Sequence, residues 1–268
     1  MSSTASARSE EPVTTALTVA VAESERVLAL PGAGVSVLTD AERRRLAAAR
    51  TERARADFLA AHLLARLCVA RHTGGAARDV VLEQRCPLCS GPHGRPRAAG
   101  ARCGVSLSYA DGVVAASAAD RPVGIDIERL PGAAAGRDAP APGARGYGSF
   151  LTRGEIDRIR GSPAPRSAFL RLWVRKEALV KLTGRGLPAM ADTDLSQLPP
   201  HPAAPDRPHR LGRILLYDLS DVPSDVIGAV AVTAPGPPAG PGSPAASGMQ
   251  SLTIDDLIDT LSFQGAEP

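Results

Sequence analysis

Val123-Gly124-Ile125-Asp126-Ile127-Glu128 alternates apolar and acidic side chains after its glycine. That period of two belongs to a β-strand. Asp126 and Glu128 then project from one face while Ile125 and Ile127 turn inward. Two carboxylates side by side repel each other unless a cation sits between them. Taken alone, the same pattern is also that of a polar strand face on a solvated sheet. Downstream, Leu172-Trp173-Val174-Arg175-Lys176-Glu177-Ala178-Leu179-Val180-Lys181 reads as helix. Glu177 and Lys181 stand at i and i+4 on one face, with Trp173 one turn earlier on the same side. An ordinary helical salt bridge with a tryptophan packed beside it is the plainer account of that segment.

Working outward toward the N-terminus, residues 1–15 are rich in Ser, Thr and Ala and read as disordered. Ala16 to Ala22 is a continuous small-apolar run, the first strand. Thr39-Asp40-Ala41-Glu42 offers a helix N-cap with acid in the first turn, followed by Arg43-Arg44-Arg45. A second helix runs from about Arg53 to His72, with Phe58, Leu59, Leu63, Ala65 and Leu67 available for burial and Gly74-Gly75 as its stop. A short strand at Val80 to Leu82 and a turn-rich patch from Cys86 to Gly100 follow. Val105, Leu107 and Tyr109 mark an alternating strand. Val113 to Ala119 and Val123 to Ile127 read as a hairpin joined through Asp120-Arg121-Pro122.

Toward the C-terminus, residues 131–148 form a Gly/Ala/Pro-rich loop. Helical pattern resumes at Thr152 to Arg160 and at Arg166 to Leu182, ended by Gly184. A Pro-rich insert (Leu198 to Leu211), two strands (Arg213 to Leu219 and Val226 to Thr233), a Pro/Gly/Ala linker (Ala234 to Gly248) and a short acidic amphipathic segment (Ser251 to Leu261) complete the chain. Strand, helix, strands thus occurs twice, without a high-identity repeat. The expected fold is α+β: a pseudo-twofold pair of similar halves, each a small mainly antiparallel sheet packed with a long helix, with a cleft between them. The expected divisions are a disordered 1–15, an N-terminal half 16–120, a C-terminal half 121–233, and a linker and tail 234–268.

Composition narrows the classes. Apolar residues make up 44% and charged residues 22% of the 268, ordinary for a soluble globule. Aromatics at 3% leave the cores to Ala, Leu and Val. A formal charge of only +3 argues against nucleic-acid binding. Met1 to Pro12 lacks the apolar stretch of a signal peptide, and no run approaches the roughly 18 apolar residues that cross a bilayer. The expectation is a cytoplasmic monomer with no membrane and no nucleic-acid partner.

The two segments together, G-I-D-I-E and about fifty residues later W-x-x-K-E-x-x-x-K, resemble the phosphopantetheinyl transferases of the surfactin-synthetase-activating type, the two-halved monomeric class. The resemblance extends from about Leu38 to Thr233. Ser106-Leu107-Ser108-Tyr109 is similar to the family's short S-H strand, and His93-Gly94-Arg95-Pro96 to its G-K/R-P turn. Phe150-Leu151-Thr152-Arg153-Gly154-Glu155 resembles the F-F/L-S/T-x-x-E start of the helices, and Gly184-Arg185-Gly186-Leu187 the turn that closes the signature.

The resemblance implies an activity: transfer of the 4′-phosphopantetheine arm of coenzyme A to a serine of an apo acyl- or peptidyl-carrier protein, Mg²⁺-dependent, with release of 3′,5′-ADP. It implies Asp126, Glu128 and Glu177 as metal ligands, Glu177 also as the base, and Lys181 as phosphate ligand and stabiliser of the leaving group. His93, Gly94, Arg95 and Pro96 would lie at the adenine end, and Ser108 and Tyr109 with His62 at the coenzyme A phosphates. Lys176 is the weaker candidate for those phosphates, because successive helical positions point about 100° apart. Trp173 is a packing anchor.

Two positions depart from the family pattern. Tyr109 stands where relatives have His, and His62 where they have Arg. A phenol carries no charge and a histidine is only partly protonated at neutral pH. A degenerate relative that binds coenzyme A or a carrier without transfer is therefore the alternative. A metal-dependent hydrolase using the same carboxylates is the remaining rival. Arg43 to Arg45 suit either coenzyme A's 3′-phosphate or a solvated helix face. Cys86-x2-Cys89-x3-His93 has zinc-knuckle spacing, with Cys103 in sequence reach; a turn with reduced thiols is the other reading. The acidic tail segment reads as a dispensable tail beyond a flexible linker.

Overall fold

The computed structural model of the protein describes residues 17–86, 89–130, 149–202, 207–234 and 249–258. In chain order they form β1 (Leu17–Glu23), α1 (Ser24–Leu28), α2 (Asp40–Ala48), α3 (Glu52–Thr73), β2 (Leu82–Gln84), β3 (Pro96–Ala98), β4 (Gly104–Ala110), β5 (Val113–Ala119), β6 (Val123–Arg129), α4 (Arg153–Arg160), α5 (Pro165–Thr183), β7 (His209–Leu211), β8 (Ile214–Asp218), β9 (Val226–Thr233), β10 (Met249–Leu252) and α6 (Ile254–Ile258). The fold is α+β with antiparallel-dominated sheets.

Local chemistry sets the helix ends. Thr39 Oγ1 accepts from the Glu42 amide while the Glu42 carboxylate accepts from the Thr39 amide at 2.7 Å, a capping box that starts α2. Thr152 and Glu155 repeat the device at α4. Pro165 opens α5, and α3 and α5 both end on a left-handed glycine, Gly74 and Gly184.

Ten strands among the described residues make two sheets, ordered β10-β1-β5-β4-β3-β2 and β6-β9-β8-β7. All neighbours are antiparallel except β1 and β10, which run parallel. Alternation along the strands sorts the apolar side chains into three cores. Ala20, Val114, Ala116 and Val105 meet Leu63, Leu64 and Leu67 of α3. Val19, Val113 and Ala115 meet Ile125, Ile127 and Val230 between the two sheets. Ala229, Ala231 and Leu216 meet Val174, Ala178 and Leu182 of α5. The order of layers is helix, sheet, sheet, helix.

Three expectations change. The hairpin of Val113–Ala119 with Val123–Ile127 does not form, because β1 and β4 occupy both edges of β5, and β6 pairs with β9 in the other sheet. The strand expected at Val80 begins instead at Leu82, after a single 3₁₀ turn at 77–79. The tail segment is not set apart: β10 extends the first sheet, and Leu252, Ile254 and Leu257 are buried in the core under α3. Residues 1–16, the loop at 131–148, most of the 234–248 linker and the end of the tail lie outside the described residues.

Candidate active site

Gly124 lets β6 press against α5. A Cβ there would stand 2.1 Å from the Ala178 carbonyl oxygen and 2.4 Å from the Leu182 amide nitrogen. With the strand this close to the helix, the even positions of β6 face the helical positions that carry Glu177 and Lys181. Ile125 and Ile127 point the other way, into the inter-sheet core.

Lys181 sits at the junction. Its ammonium lies 2.7 Å from Asp126 Oδ1 and donates to Ile125 O at 3.0 Å and Ser108 Oγ at 3.1 Å, with Leu107 O at 3.4 Å. Ser108 in turn donates to Asp126 Oδ1 at 2.8 Å, and Ser106 Oγ accepts from the Ile125 amide at 3.1 Å. The serines of β4 in the first sheet thus lock onto β6 in the second.

The acidic groups are held unlike carboxylates in water. Burial, then the charge of Asp126, pushes the Glu128 carboxyl up to about 7; Glu177 adds to the rise, while Lys181 and a hydrogen bond from Trp173 oppose it. Burial and then Asp126 also raise Glu177, against the pull of Lys181. Three carboxylates therefore face a single neighbouring ammonium, an excess of negative charge carried on hard oxygen donors. Such hard oxygen donors suit Mg²⁺ or Ca²⁺ in their chemistry, but oxygens of all three do not lie within 4.8 Å of one another.

The remaining expected site residues divide. His93, Gly94, Arg95 and Pro96 form the turn into β3. Arg95 is half-buried and donates to Leu182 O at 3.0 Å and Val123 O at 3.3 Å, tying that turn to the end of α5 and the start of β6. Gly94 O accepts from Gln84 at 2.9 Å, and His93 Nε2 lies 2.9 Å from Cys89 Sγ. Tyr109 is 42% exposed and, two residues from core-facing Leu107, stands on the opposite face of β4 from Ser108.

His62 is not brought to the site. It is 1% exposed, stacked on Phe58 with centroids 3.9 Å apart, and its Nδ1 lies 2.8 Å from Phe58 O. Burial lowers its pKa to about 4, so it is neutral and out of a phosphate's reach. The cation beside it, Arg66, is spent on a buried pair with Glu42 at 2.6 Å. Lys176 is likewise structural. Fully buried, it pairs with Glu155 at 2.7 Å and donates to Phe150 O and Met190 O.

Sequence reasoning missed one contact. Trp173 packs between Phe150 and Phe169, with both ring centroids at 6.1 Å, but also hydrogen-bonds Glu128. The signal was present, since an indole N–H is a donor that seeks a partner when buried. Of the three arginines on α2, Arg44 and Arg45 line a cleft of about 610 Å³ between α2 and β2; Arg45 also donates to Gln84 Oε1 and lies over the Phe58 ring, and Arg43 is tied back to Asp40 and to Leu38 O. A second hollow of about 310 Å³, lined by Arg95, Arg97, Arg102 and Arg121, opens where the two sheets adjoin.

Residues 122–231 match the family model of the 4′-phosphopantetheinyl transferase superfamily. The matched segment runs from the start of β6 into β9 and carries Asp126, Glu128, Glu177 and Lys181. No curated protein matches the chain.

Proposed function

We propose that the protein transfers the 4′-phosphopantetheine arm of coenzyme A to a serine of an acyl- or peptidyl-carrier protein and releases 3′,5′-ADP. On this reading it is of the surfactin-synthetase-activating type, with halves 16–120 and 121–233 related by an approximate twofold. The observation that supports the reading is the electrostatic coupling of Asp126 and Lys181 with Glu128 and Glu177, inside the segment that matches the superfamily. Asp126, Glu128 and Glu177 would hold Mg²⁺, whose contribution when bound is to neutralise charge on the pyrophosphate and the departing ADP.

The chain's own groups do the rest. Glu177, its carboxyl raised by burial and by the charge of Asp126, takes the proton from the carrier serine hydroxyl. The serine oxygen forms a bond to the phosphorus next to the pantetheine, and the bond from that phosphorus to the oxygen of 3′,5′-ADP breaks. Lys181 offers its ammonium to a phosphate oxygen and to the negative charge that the leaving group gains. Ser108 holds Asp126 in place. Arg44 and Arg45, with the His93–Pro96 turn, receive the nucleotide end of coenzyme A. Among the described residues no helix is long and apolar enough to cross a membrane.

The test is intact-mass spectrometry of a panel of apo-carriers after incubation with coenzyme A and Mg²⁺. Gain of the arm's mass, abolished by EDTA, is expected. Unchanged carriers with coenzyme A bound would identify a degenerate relative. Cleavage of coenzyme A without a carrier would identify a hydrolase.

A further inference from the structure

The turn between β2 and β3 carries two cysteines that the transfer reading does not use, converging on His93, whose turn it does use. The Cys86 amide donates to Gly91 O at 2.9 Å, the Ser90 amide to Cys86 O at 2.9 Å and the His93 amide to Gly91 O at 2.8 Å, so the chain folds back on itself. Ser90, directly after Cys89, adopts a left-handed φ of 57°, a conformation that a residue with a side chain rarely takes. The result is convergence. The sulfurs of Cys86 and Cys89 and a ring nitrogen of His93 all lie within 4.8 Å of one another, the one such group of three among the described residues.

We propose that Cys86, Cys89 and His93 bind a zinc ion. Two thiolates and an imidazole are borderline-soft donors of the kind zinc selects over Mg²⁺. Tetrahedral zinc with bonds of about 2.3 Å to sulfur and about 2.0 Å to nitrogen separates its ligand atoms by about 3.5–3.8 Å, within the spread already present. Two thiolate charges cancel the dication, so the turn gains a neutral cross-link. Cys103, on the far side of β3, is not in the cluster, and solvent completes the coordination beside exposed Cys89 and His93. The ion would stiffen the turn whose next side chain, Arg95, fastens the two halves through Leu182 O and Val123 O.

Metal content decides the matter. The full chain, purified without a polyhistidine tag and without chelator, is expected to carry about one zinc per molecule by elemental analysis. Cys86→Ser with Cys89→Ser, and separately His93→Ala, should lose it, while Cys68→Ser and Cys103→Ser should keep it. Cobalt exchanged into the wild-type protein should show thiolate-to-metal charge transfer and tetrahedral d–d bands, a readout that does not require any variant to fold. Wild-type protein that takes up neither zinc nor cobalt, or zinc retained after loss of both cysteines, would overturn the proposal.

Discussion

Gly124→Ala tests the link between fold and site most sharply. The new methyl carbon would meet the backbone of α5 at 2.1 Å (Ala178 O) and 2.4 Å (Leu182 N), where ordinary contact begins at 3.4 Å. Neither partner is a side chain that can swing aside, so strand and helix must part by about 1.3 Å, the shortfall from 3.4 Å to 2.1 Å. Overpacking of this kind costs roughly 1–3 kcal/mol. For a chain of this size that corresponds to a fall in Tm of roughly 2–12 °C. The effect on transfer should be larger than the effect on stability. Glu177 and Lys181 move with the helix while Asp126 and Glu128 stay with the strand, and a misplacement near 1 Å costs about 10²-fold in rate. Calorimetry gives the first number and carrier mass spectrometry over time the second. A variant with wild-type melting and wild-type turnover would show that the approach of β6 to α5 does not set the geometry of the site.

Other perturbations separate individual roles. Glu177→Gln should lower transfer by at least about 10²-fold with little change in Tm, since it removes the base and a metal ligand together; near-normal turnover would remove Glu177 from the mechanism. In metal-free protein the folded Glu128 carboxyl, raised from 4.5 to about 7, keeps a proton that the unfolded chain has released. Its contribution to stability is therefore lost as pH rises through that window, so wild type should lose more Tm between about pH 4.5 and 7 in EDTA than Glu128→Gln does. Equal losses would refute the shift. Removing residues 249–268 should destabilise the protein, because Leu252, Ile254 and Leu257 are buried side chains worth about 1.5–3 kcal/mol each, and Leu257→Ala alone should cost about 2–5 kcal/mol. Unchanged melting after truncation would mean that β10 and α6 do not hold to the first sheet in solution.

Local rules carried the reading of the site a long way, and they failed where distant chain segments compete. Alternation in β6 correctly set Ile125 and Ile127 inward, and the i, i+4 relation correctly put Glu177 and Lys181 on one helix face. Neither rule states how near a strand lies to a helix, so the contact of Trp173 with Glu128 was invisible. His62 was matched to the coenzyme A phosphates by position alone, but the face of α3 that turns inward is decided by packing against β4 and β5. Asp120-Arg121-Pro122 is a sound turn signal, yet the partner of β6 is settled by β1 and β4 having filled the edges of β5. The tail read as separate because its pairing partner, β1, lies at the opposite end of the chain.

The most direct measurement is transfer itself, followed by intact mass of an apo-carrier with coenzyme A and Mg²⁺, using wild type and Asp126→Ala side by side. The account predicts that the wild-type protein adds one 4′-phosphopantetheine arm to the carrier serine and that Asp126→Ala, though folded, adds none. A carrier left unmodified by the wild-type protein, or modified equally by both, would contradict it.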